Sequence, residues 1–253
     1  MDLVRAEGAV AKVPAITLGF WIIKILATTL GETGADLFTQ QYEMGYLAGI
    51  ALFAAPLVVL VAIQIRTERF RPLLYWATIL ASTTAGTALA DFFDRDLGIG
   101  YGGGATALLA CLAATLLAWR QATGTIAVSS VASPRSEAFY WLAITFSQTL
   151  GTALGDWAAE DGGLGYIGGA AVFGAALAVL ALLYWRTRVS RLALFWGAFI
   201  LTRPFGATVG DFLDKPLAQG GLDLGRDLAT AVLLAAIGLA LLLVPQRPVS
   251  SSL

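Results

Sequence analysis

The chain contains no histidine, one cysteine (Cys111) and two methionines in 253 residues. A zinc site of Cys and His ligands, a Ser-His-Asp triad and a disulfide framework are thereby excluded. Charge is also scarce: Asp, Glu, Lys and Arg make up 13% of the residues, against about 25% in soluble domains. The formal net charge is −1, which leaves no basic footprint for nucleic acid. What replaces charge is apolar: 58% of the side chains are hydrophobic, and 28 residues are glycine. That balance predicts a chain embedded in a lipid bilayer, with glycine where helices approach closely.

A spanning helix needs about 20 mostly apolar residues. Eight stretches qualify: Pro14–Thr33, Gly45–Ile65, Pro72–Ala90, Tyr101–Trp119, Ala138–Gly155, Gly165–Trp185, Leu192–Gly210 and Leu224–Val244. The first reads as a retained helix rather than a cleaved signal peptide, because no small-residue cleavage site follows a short apolar region. Orientation follows the Lys/Arg bias. Arg5, Lys12, Arg66, Arg69, Arg71, Arg120, Arg135, Arg186, Arg188, Arg191 and Arg247 fall on one side, with the acids Asp2, Glu7, Glu68 and Glu137. Only Arg95, Lys215 and Arg226 fall on the other, while Lys24 and Arg203 lie inside spans. A multi-pass inner-membrane protein with both termini cytoplasmic is expected. The outer connections are acid-rich, either as a solvated face or as an attractor of cations.

An internal repeat organises the chain. Trp21, Trp76, Trp141 and Trp196 each open an odd-numbered span. Ten residues later come Gly31, Gly86, Gly151 and Gly206, and fifteen residues later Asp36, Asp91, Asp156 and Asp211. Nine and ten residues after the first three Asp come Gly45-Tyr46, Gly100-Tyr101 and Gly165-Tyr166, where the fourth copy has Gly220-Gly221. The repeats run 14–65, 72–119, 138–185 and 192–244 within a single membrane domain covering 1–253. Each copy holds two spans, so all copies enter from one side. The expected fold is an all-α integral membrane protein of eight transmembrane helices, built from four parallel helical-hairpin repeats.

The segment from Phe20 to Asp36, FWIIKILATTLGETGAD, together with the repeat, resembles a family of bacterial membrane proteins. Its members carry four tandem repeats of unknown function, each with two transmembrane segments and one tryptophan. The resemblance covers almost the whole chain and implies the architecture. It implies no activity. Copy four departs most, with Pro204 in place of Thr and the Tyr missing.

Gly31, Gly86, Gly151 and Gly206 have a small partner four residues on: Ala35, Ala90, Gly155 and Gly210. Small-xxx-small pairs predict helix packing. The tryptophans read as interface anchors. Residues eight, eleven and fifteen after each Trp share one helical face. They are Thr29, Glu32 and Asp36; Thr84, Thr87 and Asp91; Thr149, Thr152 and Asp156; Pro204, Ala207 and Asp211. At about 1.5 Å rise per residue the Gly layer falls near midplane and the Asp layer in the outer third. Ionisable groups there face the bundle interior or a cavity. Lys24 either snorkels to the inner surface or balances Glu32. Arg203 lies too deep to snorkel and calls for an interior acid, Glu32 or Asp211.

The donors on this face are carboxylates and hydroxyls, which suit Mg²⁺, Ca²⁺, Mn²⁺ or alkali ions rather than Cu⁺ or Zn²⁺. Rings of acids recur in cation pores. The glycine clusters, such as Gly102-Gly103-Gly104, lack the Lys-Ser/Thr of a phosphate loop. The expected function is movement of a small cation, with proton coupling through Glu32 and the repeat Asp residues. The metal, if one binds, uses the same acids. Lipid is the expected partner, homo-oligomerisation is open, and neither a cofactor nor enzymatic activity is expected. Two alternatives stand beside it: a non-transporting scaffold or sensor, and a carrier of a small organic solute.

Overall fold

The computed structural model describes residues 11–249. Arg5, Asp2 and Glu7 of the charge count lie outside the described residues. Eight long helices follow one another: α1 (Leu18–Asp36), α2 (Tyr46–Arg66), α3 (Pro72–Asp91), α4 (Tyr101–Thr123), α5 (Pro134–Asp156), α6 (Gly165–Arg186), α7 (Arg191–Asp214) and α8 (Arg226–Leu243). Local chemistry sets their starts. Thr17 accepts from Phe20 N to cap α1, and Ser133 forms a capping box with Ser136 at the head of α5. Pro72 and Pro134 occupy first-turn positions, where a missing N–H costs nothing.

The four odd helices form a closed inner ring in the order α1, α3, α5, α7 and back to α1. The four even helices lie outside it. Their outward faces are apolar, with Leu47, Val58, Leu109, Leu117, Val179 and Leu239 exposed. Six helices are long and apolar enough to cross a membrane; α1 and α5 are not. The reason lies in the ring: α1 carries Lys24, Glu32 and Asp36, and α5 carries Gln148 and several hydroxyls, all buried against neighbours.

The two helices of a copy do not pair into a packed hairpin, which corrects the expectation. Instead α2 packs on α3, α4 on α5, α6 on α7, and α8 returns to α1. Each outer helix therefore covers the next copy's inner helix. After Asp36, Asp91 and Asp156 the α-helix widens into one π-helical turn, Leu37–Gln41, Phe92–Asp96 and Trp157–Asp161. Gly45, Gly100 and Gly165 then turn the chain with φ of 74°, 77° and 64°. In copy four this role falls to Gly225 (φ 75°) rather than Gly220-Gly221, because Pro216 and a 3-10 turn lengthen the connection.

The repeat glycines sit at every joint of the ring. Gly31 faces Thr83, Gly86 faces the backbone of Gln148 and Thr149, Gly151 faces the stem of Arg203, and Gly206 faces Thr28. In each case the partner stands seven residues after its own Trp. One turn further, Gly155 faces Ala207 and Gly210 faces Glu32. The constant offset makes the four inner helices parallel and in register.

The Trp end of the bundle is sealed. Phe20, Tyr75, Tyr140 and Phe195, each preceding a repeat Trp, pack with the tryptophans as a connected aromatic layer. Tyr75 and Tyr140 share a hydroxyl hydrogen bond of 2.6 Å. Trp76, Trp141 and Trp196 are buried in this layer rather than standing as anchors on the bundle's outside. Beneath it, Val13, Val131 and Val249 are buried where three segments meet. Lys12 N donates to Val131 O (3.1 Å) and Val249 N to Val13 O (2.8 Å), so the first and last described residues lie at the Trp end. Lys12 Nζ also pairs with Glu137 at 2.5 Å and donates to Gln64 O at 2.8 Å, at the carbonyl end of α2. Burial pushes the Glu137 carboxyl up to about 7, against the pull of Lys12.

The ring contacts generate a stability prediction. A Cβ on Gly86 meets Thr149 N at 3.0 Å and Gln148 C at 3.1 Å, both backbone atoms that cannot swing aside. Gly86→Leu should cost roughly 1–3 kcal/mol by overpacking. Gly238 on α8 has nothing within 4 Å. Gly238→Leu should stay within about 0.5 kcal/mol of the parent. Thermal unfolding in detergent compares the two; equal melting would remove the proposed joint.

Candidate functional site

The ring encloses a stack of polar side chains that runs from the aromatic layer to the Asp end. Nearest the aromatics is Lys24, fully buried, with Nζ 3.5 Å from Gln148 Oε1 and 4.2 Å from the centre of the Phe199 ring. It does not snorkel. Next comes Arg203, also without solvent exposure. Its Nη2 lies 2.9 Å from Glu32 Oε2, 2.6 Å from Thr87 Oγ1 and 2.6 Å from Thr152 Oγ1. One nitrogen thus reaches α1, α3 and α5 from α7. Of the two acids sequence offered Arg203, the structure pairs it with Glu32.

Above Arg203 stand the four repeat Asp residues, all at 3% exposure or less. Oxygens of Glu32, Asp156 and Asp211 lie within 4.8 Å of one another, as do those of Asp36, Asp211 and Asp214. Either group has the composition and closeness to hold a hard cation. Two basic side chains enter this acid layer from the Asp end. Arg95 lies 3.2 Å from Asp91 and 3.6 Å from Asp156. Lys215 lies 2.6 Å from Asp36 and 3.2 Å from Asp211. Burial works against the charge of Lys215, but Asp211, Asp36 and Asp214 carry its pKa well above the usual lysine value. Arg226 adds a contact of 3.4 Å to Asp214 and one of 3.6 Å to Asp36. Among the described residues, Asp36 Oδ1, Asp156 Oδ2 and Arg203 Nη1 have no hydrogen-bond partner.

A cavity of about 540 Å³ opens over this layer at the Asp end. Arg95, Lys215, Glu160 and Arg226 line it, with Gln40 and Tyr166. Arg95 and Lys215 stand between this cavity and the ring acids, none of which lines it, while the aromatic layer closes the other end.

Of the hydroxyls expected on the polar face, Thr87 and Thr152 join the array. Thr29, Thr84 and Thr149 do not: each donates to a carbonyl one turn back on its own helix, Ile25 O, Leu80 O and Thr145 O. The inward position is seven residues after Trp, not eight, and holds Thr28, Thr83, Gln148 and Arg203. Sequence reasoning placed Arg95 and Lys215 among loop cations. The signal that could have found them is their spacing, four residues after Asp91 and Asp211, with Arg95 on the π-helical turn that continues α3 and Lys215 just past the end of α7.

The central pair predicts a non-additive response. Glu32→Leu alone leaves Arg203 buried without its acid and should cost about 3–5 kcal/mol. The double variant Glu32→Leu with Arg203→Met removes both charges and should be more stable than Glu32→Leu. Chemical or thermal unfolding of the four proteins tests this; additive losses would mean the two side chains are not coupled.

The comparisons agree with the repeat read from sequence. A family model described as "Repeat of Unknown Function (DUF347)" matches four times, at residues 19–70, 74–125, 139–190 and 194–245. No curated protein and no solved structure matches the chain. Four tandem matches over most of its length make the chain a member of this repeat family.

Proposed function

We propose that this protein is a multi-pass membrane carrier of a small cation, with its Trp end and both termini in the cytoplasm and its Asp end outside. The membrane assignment is supported by the apolar outer helices. The orientation is supported by the cation excess at the Trp end, read by the positive-inside rule. The observation that carries the cargo reading is the meeting of Glu32, Asp156 and Asp211, from three inner helices, with oxygens within 4.8 Å, next to Arg95 and Lys215, which line the cavity at the Asp end. Arg203, Arg95 and Lys215 each pair with one of these carboxylates, and a shared cation or a shared proton would relieve the repulsion that remains. Exchange of one for the other supplies proton coupling. The donor set is hard, so the cargo is an alkali ion or a divalent ion such as Mg²⁺ or Mn²⁺.

One observation favours a different reading. Arg95 and Lys215 already neutralise part of the Asp layer, as a structural polar core does. On that reading the protein is a membrane scaffold and moves nothing.

Proteoliposomes separate the two. Carrier activity predicts uptake of Mn²⁺ or K⁺ that falls at least tenfold in Glu32→Gln and in Asp156→Asn. Thr29→Val, whose hydroxyl is bonded to its own helix, should transport as the parent does. No uptake of any tested cation by a folded parent would leave the scaffold. The orientation is checked separately: a reporter fused after Leu253 should be active only on the cytoplasmic side, and one in the Asp94–Ile99 connection only outside.

A further inference from the structure

The acid ring is bridged unevenly. Its four Asp residues come from four parallel helices, so they form four neighbouring pairs. Arg95 bridges Asp91 to Asp156, and Lys215 bridges Asp211 to Asp36. Both cations stand four residues after the Asp of their own helix, in copies two and four. At the same position copies one and three carry Gln40 and Glu160, so the remaining two junctions receive no bridging cation from that position. The junction between Asp156 and Asp211 is one of these, and it is where Glu32 arrives.

The two bridging cations are not alike. Lys215 is 7% exposed, held by two ring acids and adjacent to Asp214. Arg95 is 31% exposed and touches the cavity. It also has a second acid outside the ring: Glu160, itself 41% exposed, lies 3.4 Å away. The Tyr101 ring centre is 5.9 Å from the guanidinium carbon. Arg95 can therefore leave Asp91 and Asp156 while keeping the ion pair it already has with Glu160. Lys215 has no comparable outward acid among its contacts.

Charge counting gives this movement a meaning. The buried stack holds five carboxylates, Glu32, Asp36, Asp91, Asp156 and Asp211, against four cations, Lys24, Arg203, Arg95 and Lys215. Asp214 and Arg226 pair with each other and cancel. With Arg95 in place the stack is one negative charge from neutral, which a single proton or monovalent ion supplies. With Arg95 on Glu160 it lacks two.

We propose that Arg95 is the outer gate and specificity-determining residue of the acid ring, a tethered cation that yields its place to a divalent metal ion. Lys215 is the fixed counter-charge. The proposal rests on the cation-carrier reading above. An entering divalent ion meets Arg95 first, releases it to Glu160, and settles at the Glu32, Asp156 and Asp211 junction.

The test uses the full-length protein in detergent, with Mn²⁺ and K⁺ as probes. In Arg95→Gln, Mn²⁺ should bind at least tenfold tighter by calorimetry, with K⁺ affinity unchanged. Arg95→Lys should behave as the parent. Access is measured independently of cargo through Ala207→Cys in a Cys111→Ser background. Ala207 is fully buried one turn below the ring Asp of α7. Its labelling by a charged thiol reagent should accelerate at least tenfold when Arg95→Gln is added. Should the loss of Arg95 disturb folding, Arg95→Gln with Asp91→Asn restores the charge count. That protein should label quickly and bind Mn²⁺ as the parent does. Parent-like labelling in both variants overturns the gate. Unchanged Mn²⁺ affinity in Arg95→Gln, with binding still abolished by Glu32→Gln, overturns the divalent specificity and leaves the carrier reading standing. Failure of both Mn²⁺ and K⁺ to bind the parent and Arg95→Gln overturns the carrier reading and the specificity together, while the labelling result still decides the gate.

Discussion

The architecture turns on one buried guanidinium. Arg203 projects from α7 into the centre of a four-helix ring and has no solvent exposure. A charge in that position costs several kcal/mol unless its surroundings answer it. The answer comes one layer higher, from Glu32, Thr87 and Thr152 on the three other inner helices. The equivalent residue on α7 itself is Ala207, which has nothing to answer. Opposite the arginine stem, Gly151 leaves the space that α7 needs to approach α5. The departures of copy four from its siblings are thus parts of one arrangement, and α1, α3 and α5 are tied together through the residue that departs.

Much of this was legible in the residues. Fixed offsets from Trp to Gly and Asp gave the repeat, the parallel sense and the layer order, because a helix converts sequence spacing into depth. The polar face was legible only within one residue. Positions seven and eight after Trp are 100° apart on a helix, and both are often Thr; contact with the preceding copy's glycine selects position seven. The tryptophans were misjudged because residue type alone suggests an interface. A second aromatic directly before each Trp makes the pair fill the Trp end of the ring instead. Arg95 was hidden by a boundary: counted as loop, it in fact lies on a π-helical turn that continues α3 and aims it back at Asp91.

The offset packing of the outer helices explains why the copies are inseparable. No inner helix is covered by its own outer helix; each is covered by the one before it, and α1 by α8. A lone copy would leave its polar inner helix uncovered on most sides, and in an apolar environment unsatisfied ionisable groups are costly. Only four copies close the ring, so the Lys, Arg and Asp of the interior are tolerated as a set. Pairing of the segments around Val13 and Val249 beneath the aromatic layer completes the closure at the Trp end.

Four equal acids on one ring would repel one another, and fourfold symmetry offers no way to relieve that. The chain relieves it by alternating copies. Arg95 and Lys215 enter at every second position, so the backbone keeps four similar helices while the charge pattern has only twofold character. Glu32 then breaks the twofold pattern as well, since copies two and three have Thr87 and Thr152 at its depth and copy four has Ala207. The acid oxygens it brings together with Asp156 and Asp211 form a group reaching down to the level of Arg203, unlike the group of Asp36, Asp211 and Asp214. Repetition builds the enclosure, and the four residues that differ at the level of Arg203 and Glu32, namely Gln148, Arg203, Glu32 and Ala207, make its four junctions unequal.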